Sequence, residues 1–315
     1  MDAPRKHDKY DALIKACDAL APARTVVAHP CDEISLSAAI AAANAKLILP
    51  LLVGPRGRIE ALASSLRLEL AGARVVDAPH SHAAAARAVA MVRSGEADIL
   101  MKGSLHTDEL MAEVVRGDTG IRTGRRISHV FIMDVPTYAK PLFITDGAVN
   151  IFPSLEDKMD IVQNAIHLAH ALGIPSPKVA ILSALETITS KIPSTIDAAA
   201  LCKMAERGQI TGAILDGPLA FDNAISREAA AVKHIKSPVA GDADILVVPD
   251  MEAGNLLAKE LSFLANADAA GIVLGAKVPI ILTSRADSVI TRLASCAVAS
   301  MVALARREQP SSAIV

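Results

Sequence analysis

Residues Gly271–Ser288 are GIVLGAKVPIILTSRADS, and the parsing of this stretch decides the fold. Pro279-Ile-Ile-Leu-Thr283 is a short apolar run rich in β-branched residues, the signature of a buried strand. Ser284, Arg285, Ala286, Asp287 and Ser288 follow at once, and an Ala-rich helical run then extends to about Arg307. A hydroxyl, a guanidinium and a carboxylate therefore crowd into one strand-to-helix turn. In an open α/β sheet, ligands bind where the carboxyl ends of strands meet the amino ends of helices. Such a helix end carries partial positive charge and unpaired N–H groups, which suit an anion. Arg adds a planar fork that grips two phosphate oxygens. The turn is read as a phosphate or acyl-phosphate site. The plainer reading is a helix cap: strand-end Ser and Arg commonly face water, and Asp287 in a first helical turn is favourable with the helix dipole alone.

Outward from this turn the same grammar recurs. Strands are expected at Thr25–Ala28, Lys46–Val53, Ala73–Val76, Ala97–Met101, Val130–Asp134, Leu142–Thr145, Lys178–Leu182, Gly212–Leu215 and Ile245–Val248. Helices are expected near Ser35–Ala45, Arg58–Leu70, Ser81–Ser94, Asp108–Val115 and Asp197–Gly208, with Thr107 capping the fourth. A long amphipathic helix capped by Ser154 stops at Gly173, with Pro175 beyond it; the first crossing between domains is placed near it. Strands alternating with helices predict a parallel, doubly wound α/β sheet. The tetrapeptide Ala-Asp-Ile-Leu occurs at 97–100 and again at 243–246, each time opening a βα unit.

Bulk properties set the frame. A chain of 315 residues is long enough for two domains. Apolar residues make up 52% and charged ones 21%, the balance of an ordered globular protein. Aromatics are only 2%, without Trp, so the core is built from Ala, Val, Ile and Leu. A net charge of −2 and the lack of a basic run with interleaved aromatics argue against a nucleic-acid partner. The mean hydropathy of +0.38 raises the question of a membrane. The apolar stretches are broken by Asn44, Lys46 and Lys277, or end after about a dozen residues near Ala294–Ala305, short of the roughly 20 a span needs. The opening MDAPRKHDKYDALIK lacks an apolar signal core, so a cytoplasmic protein without a membrane partner is expected. Cys17, Cys31, Cys202 and Cys296 are far apart and lack CxxC spacing, which indicates neither a zinc site nor a disulfide framework.

There is no GxGxxG after a strand, no GxxxxGK[ST], no HExxH and no G-x-S-x-G. His29 and Cys31 pose a choice between a nucleophilic thiol beside a base and an ordinary small packing residue after a strand. What stands out is a set of strand-end loops: Lys102–Thr107, Arg122–Ser128, Thr145–Asn150, Asp216–Asn223, Pro249–Asn255 and Ser284–Ser288. The first two and the last supply cations and hydroxyls, with Lys102, Ser104, Thr107, Arg122 and Ser128 as candidate substrate contacts. The others supply carboxylates, amides and glycines, with Asp216 and Asn255 as candidates. Two α/β domains facing across a cleft, one lobe basic, suit a phosphate-bearing substrate and a large second ligand.

The segments SHVFIM (128–133), TDGAVNIFPSLE (145–156), DGPLAFDNAIS (216–226), AGDADILVVPDMEAGN (240–255) and GAKVPIILTSRADS (275–288) resemble the phosphate acetyl/butyryltransferase family, and look closest to its butyryltransferase branch. The resemblance covers about residues 96 to 300; the first 95 carry only the α/β pattern. It implies reversible acyl transfer between CoA and inorganic phosphate by direct thiol attack in a ternary complex. No metal or redox cofactor is implied, CoA being a substrate, and a homodimer is. It implies two α/β/α domains arranged as in isocitrate and isopropylmalate dehydrogenases, here 1–145 plus 284–315, and an inserted 146–283. By this likeness Ser284 and Arg285 match the family's phosphate-binding pair, and Arg122, or else Arg125 or Arg126, matches a further substrate-binding Arg. The acetyltransferase members carry a catalytic Asp at a place that falls near Thr291, and Asp287 is the nearest acid. The competing readings are an acyl-CoA-sensing module of the same fold and a metal-dependent decarboxylating dehydrogenase.

Overall fold

The computed structural model describes residues 8–70, 72–282 and 287–308. The chain begins α1 (Asp8–Ala16), β1 (Ala23–Ala28), α2 (Glu33–Asn44), β2 (Ile48–Gly54), α3 (Arg56–Ser65), β3 (Arg74–Asp77), α4 (Ser81–Arg93), β4 (Ile99–Lys102) and α5 (Thr107–Val114). It continues β5 (Ser128–Asp134), β6 (Leu142–Thr145), α6 (Leu155–Ala171), β7 (Lys178–Leu182), α7 (Pro193–Glu206), β8 (Ile214–Leu219), α8 (Phe221–Ile225) and α9 (Arg227–Val232). It closes with β9 (Ile245–Val247), α10 (Met251–Leu264), β10 (Asp268–Leu274), β11 (Ile280–Ile281) and α11 (Val289–Glu308).

Two compact units share this chain. Of the described residues, the split unit comprises those of Tyr10–Ile127 and those from Ala270 to Glu308, and the inserted unit comprises Ser128–Ala269 with residues 8 and 9. The boundaries expected at 145/146 and 283/284 thus differ from those observed at 127/128 and 269/270. The reason is strand pairing. β5 pairs antiparallel with β6, and β6 lies parallel to β9, so both strands belong with the inserted sheet.

In the split unit the strand order is β3-β2-β1-β4-β11-β10. Strands β1 to β4 and β11 run parallel, and β10 returns antiparallel beside β11. The chain steps outward from β1 through β2 to β3, then jumps back to place β4 on the other side of β1. The sheet therefore reverses direction between β1 and β4. Small buried side chains, Ala38, Ala39 and Ala42 on α2 and Ala84, Ala85 and Ala88 on α4, let the helices sit close on the strands. Helix α11 has 20 residues and ends one residue past the expected Arg307; by length and composition it passes for a membrane span, beyond the dozen apolar residues expected. Most of it is buried, and it packs on α2, β1, β4 and β11 as a core helix.

In the inserted unit the order is β5-β6-β9-β7-β8. Alternate residues of β6 separate two layers: Leu142 and Ile144 join a core with Leu246, Ala180, Leu182, Ala224 and Ala258, while Phe143 is buried outside that cluster. Ser154 caps α6 as the sequence predicts, in a full capping box with Asp157. Several expectations shift. β8 extends to Leu219, so Asp216 lies within a strand; α10 begins at Met251, so Asn255 is helical. Thr107 is the first residue of α5, whose N-cap position is His106, and its side chain makes no cap bond. Tertiary pairing overrides the turn signals of Gly217-Pro218 and of Gly254.

The repeated Ala-Asp-Ile-Leu proves to be one device used twice. Asp98, just before β4, donates its N–H to Arg24 O (2.7 Å) and accepts from Arg24 N (3.3 Å). Asp244, just before β9, does the same to Lys178: N–H to O at 2.8 Å and Oδ2 from N at 2.7 Å. Each Asp locks the register of the neighbouring strand where the pairing begins.

Candidate active site

The reversal between β1 and β4 defines the crevice where a parallel sheet binds its ligands. Two loops leave the carboxyl ends of these strands: His29–Asp32 and Gly103–His106. Gly103 is required where they meet, because a Cβ there would lie 2.4 Å from Ala28 O and 2.5 Å from His29 O. Ser104 N donates to His29 O (2.9 Å), and Ser104 Oγ lies 2.8 Å from the same carbonyl and 3.0 Å from His29 Nδ1. Cys31 N also donates to Ser104 Oγ (3.3 Å). Lys102 Nζ donates to Gly103 O and Leu105 O, both at 3.2 Å, so its charge is held at the mouth of this loop. Thr107 is exposed at the start of α5. Asp32 accepts from Ser35 N (2.8 Å) and Ser35 Oγ (2.6 Å) and so caps α2.

β11 lies next to β4 and parallel to it, so its carboxyl end falls on this same edge. Ser284 and Arg285 lie outside the described residues. Asp287 is half-buried just ahead of α11, and Ser288 Oγ accepts from Thr291 N (3.2 Å). Arg122 is exposed and its backbone bridges to Ala276, while Lys277 N donates to Ile121 O (2.9 Å) and Thr123 Oγ1 to Gly275 O (2.6 Å). The arginine loop is thereby stitched to the segment that leads into β11. A cavity of about 270 Å³ opens between α2 and α11, walled by Ile34, Ala38, Ala41, Val289 and Leu293 with Arg292 and Glu33. It contains none of the switch-point loop residues and is largely apolar, so it is not the phosphate crevice.

The thiol alternative fails on geometry. Cys31 is buried, burial pushes its thiol up, and His29 Nδ1 engages Ser104 rather than Sγ. Among the described residues no three His, Cys, Asp or Glu side chains gather to hold a metal ion.

The carboxyl edge of the inserted unit is organised by Asp146, the carboxylate of a strand-end loop that the sequence singled out without naming Asp146 among the site residues. Its carboxylate accepts from His129 N (3.2 Å), Ala148 N and Val149 N (2.9 Å each) and Asn150 Nδ2 (2.6 Å). Asn255 Nδ2 donates to Gly147 O (3.1 Å), where Gly147 and Gly254 let backbone meet backbone. Ser128 is fully buried, with its Oγ accepting from Asn164 Nδ2 (2.8 Å), and Asp216 accepts from Gly217 N (2.9 Å). Ser128 thus serves the unit's interior, while Asp216 is half-buried within β8. A run of turn residues before a capped helix, Asp146 to Asn150, is the signal that would have singled out Asp146.

A family model described as "Phosphate acetyl/butaryl transferase" matches residues 80–300. The chain belongs to this family. It is 66% identical over 311 residues to a phosphate acetyltransferase of Rhizobium meliloti, covering 99% of this chain and 98% of the relative. It is 41% identical over 280 residues to a phosphate butyryltransferase of Clostridium acetobutylicum, covering 89% of this chain and 93% of that one. The crystal structure of a branched-chain phosphotransacylase from Enterococcus faecalis superposes with a TM-score of 0.77 at 32% identity, covering 89% of this chain and 99% of that one. The family expected from the motifs is the one found. The identities favour the acetyl-named relative over the butyryl-named one, against the branch that the motifs suggested.

Proposed function

We propose that this chain catalyses reversible transfer of a short acyl group between the thiol of CoA and inorganic phosphate. Family membership makes it an acyltransferase, and the observation that carries the reading is the switch-point crevice of the split unit. There Lys102 and the loop around Gly103 meet the carboxyl end of β11, just ahead of Ser284-Arg285. Arg285, Ser284 and Arg122 are assigned to the phosphate and to the negative charge that develops on the reacting carbonyl. Thiolate attacks the acyl phosphate directly in a ternary complex, and phosphate leaves. Asp287 is a weak base for this step: a thiol near 8.5 and a carboxylate near 3.9 differ by about 6 kcal/mol for full proton transfer. The enzyme works in the cytoplasm, where CoA and phosphate are both at hand.

The same reading includes a homodimer. Helix α10 exposes Leu256 (60%), Phe263 (84%) and Leu264 (85%), with Lys259 and Glu260 between them. Antiparallel pairing of two copies of this helix sets Leu256 of each against Phe263 of the other, and Lys259 against Glu260. Isologous pairing of this kind is the commonest closed symmetry.

The test is release of free CoA from acetyl-, propionyl- and butyryl-CoA in the presence of phosphate. Turnover with at least one of them is expected. Binding without CoA release from any chain length would make the protein an acyl-CoA sensor instead.

A further inference from the structure

The segment His29-Pro30-Cys31 has no part in the chemistry assigned so far, yet it occupies the switch point itself. His29 has φ of +56°, a conformation that side chains other than Gly adopt rarely and usually for a reason. The neighbouring loop holds it there, with Gly103 N on Ala28 O and Ser104 N on His29 O (2.9 Å each).

The hydrogen bonds fix the tautomer. A carbonyl oxygen only accepts, so Ser104 Oγ, 2.8 Å from His29 O, commits its single proton there. The same Oγ accepts from Cys31 N (3.3 Å). At 3.0 Å from Oγ, His29 Nδ1 is therefore the donor and carries the ring proton. Nε2 is left with a lone pair. Among the described residues it has no hydrogen-bond partner, and it is not among the side-chain atoms buried without one. Ser104 is no open substrate contact; it orients the ring.

We infer that His29 Nε2 accepts the thiol proton of CoA, with Ser104 as its positioning residue. This rests on the acyl-transfer reading above and supplies its missing base. The CoA S–H bond breaks and its proton passes to Nε2, giving an imidazolium whose Nδ1–H stays on Ser104. The thiolate forms the C–S bond at the acyl carbon, the C–O bond to phosphate breaks, and the proton leaves Nε2 for the departing phosphate. β1, β4 and β11 are adjacent strands, so the ends of β1 and β11 lie roughly 10 Å apart on one edge, within side-chain reach. An ordinary imidazole at about 6.5 sits far nearer a thiol at about 8.5 than a carboxylate at about 3.9 does. Burial lowers His29 below its usual value, helped by Arg58 and His80, while Glu109 and Asp32 oppose the shift. The ring is thus neutral, and able to accept, at pH 7.

The experiment follows acyl-CoA formation from acyl phosphate and CoA between pH 5 and 9 in the wild type, His29→Asn, Ser104→Ala and Cys31→Ala. Asn tolerates positive φ and offers an amide in place of Nδ1 but no base. The wild type is expected to lose kcat on an acidic limb. His29→Asn should fall at least about 100-fold in kcat, with KM for CoA changed less than about threefold, and should lose the limb. Ser104→Ala should fall less and keep a displaced limb; Cys31→Ala should match the wild type. If His29→Asn misfolds by circular dichroism, His29→Gly replaces it, and added imidazole should restore part of its rate. A folded His29 variant with wild-type kcat and an unchanged limb overturns the inference, as does a His29→Gly enzyme that imidazole fails to rescue. A wild type inactive with every acyl substrate instead removes the acyl-transfer reading, and this inference with it.

Discussion

Arg285→Ala is expected to lower turnover at least about 100-fold, the scale of losing one donor to a developing oxyanion. Steady-state rates on a variant with an unchanged thermal melt check this, and near-normal turnover would remove Arg285 from the site. A second residue, His129, is set by burial rather than by chemistry. It is only 3% exposed, its ring stands edge-on to Phe131 at 4.3 Å, and its Nδ1 has no partner among the described residues. Burial holds it down to about 4, with Asp146 pulling the other way. The unfolded chain binds this proton below about 6.5 and the folded chain only near 4, so stability is full above 6.5 and drains as pH falls between them. By pH 4 the loss reaches about 3 kcal/mol. Urea melts at pH 7 and pH 4.5 should show this fall in the wild type and a smaller one in His129→Leu; equal falls would mean the ring is not buried. The burial of His129 is not legible from sequence, because a local run of polar residues does not reveal which of them the sheet will enclose.

At the scale of elements, local chemistry is a better guide. Ser154, Asp157 and Gly173 mark both ends of α6 in one stretch of chain, and the helix forms between them because each signal acts within a turn of its own residue. Ser154→Ala should cost about 1 kcal/mol by leaving the N–H of Asp157 uncapped, read as a Tm drop of a few degrees; Asp157→Ala should cost less. No change in Tm would mean the box is frayed in solution. Where the chain does not follow its local signals, pairing is the cause. Asp216-Gly-Pro-Leu219 looks like a turn but runs on as β8 because β7 offers it a partner. The arginine loop is tied down by backbone pairing at residues 276 and 277 and by the Thr123 hydroxyl on Gly275 O, about 150 positions away, which no local pattern encodes.

Over the whole molecule, the exposed face of α10 has an outcome that a hydrodynamic measurement reads directly. The native protein should run as a dimer in size-exclusion chromatography with light scattering, and Phe263→Asp with Leu264→Asp should shift it to a monomer without loss of secondary structure. A monomeric wild type, or a double variant that stays dimeric, would place the interface elsewhere or nowhere.

The sequence alone determined the α/β alternation, the family and the strand-end loops, since period, caps and motif spacing are written in neighbouring residues. Only the tertiary structure decided that β4 jumps back across β1, that the units divide at 127/128 and 269/270, and that Ser104 commits the His29 ring to one tautomer. These depend on strand order and on backbone carbonyls brought together from distant positions. Hydrogen bonds between residues 75 apart leave no periodicity for a sequence to display.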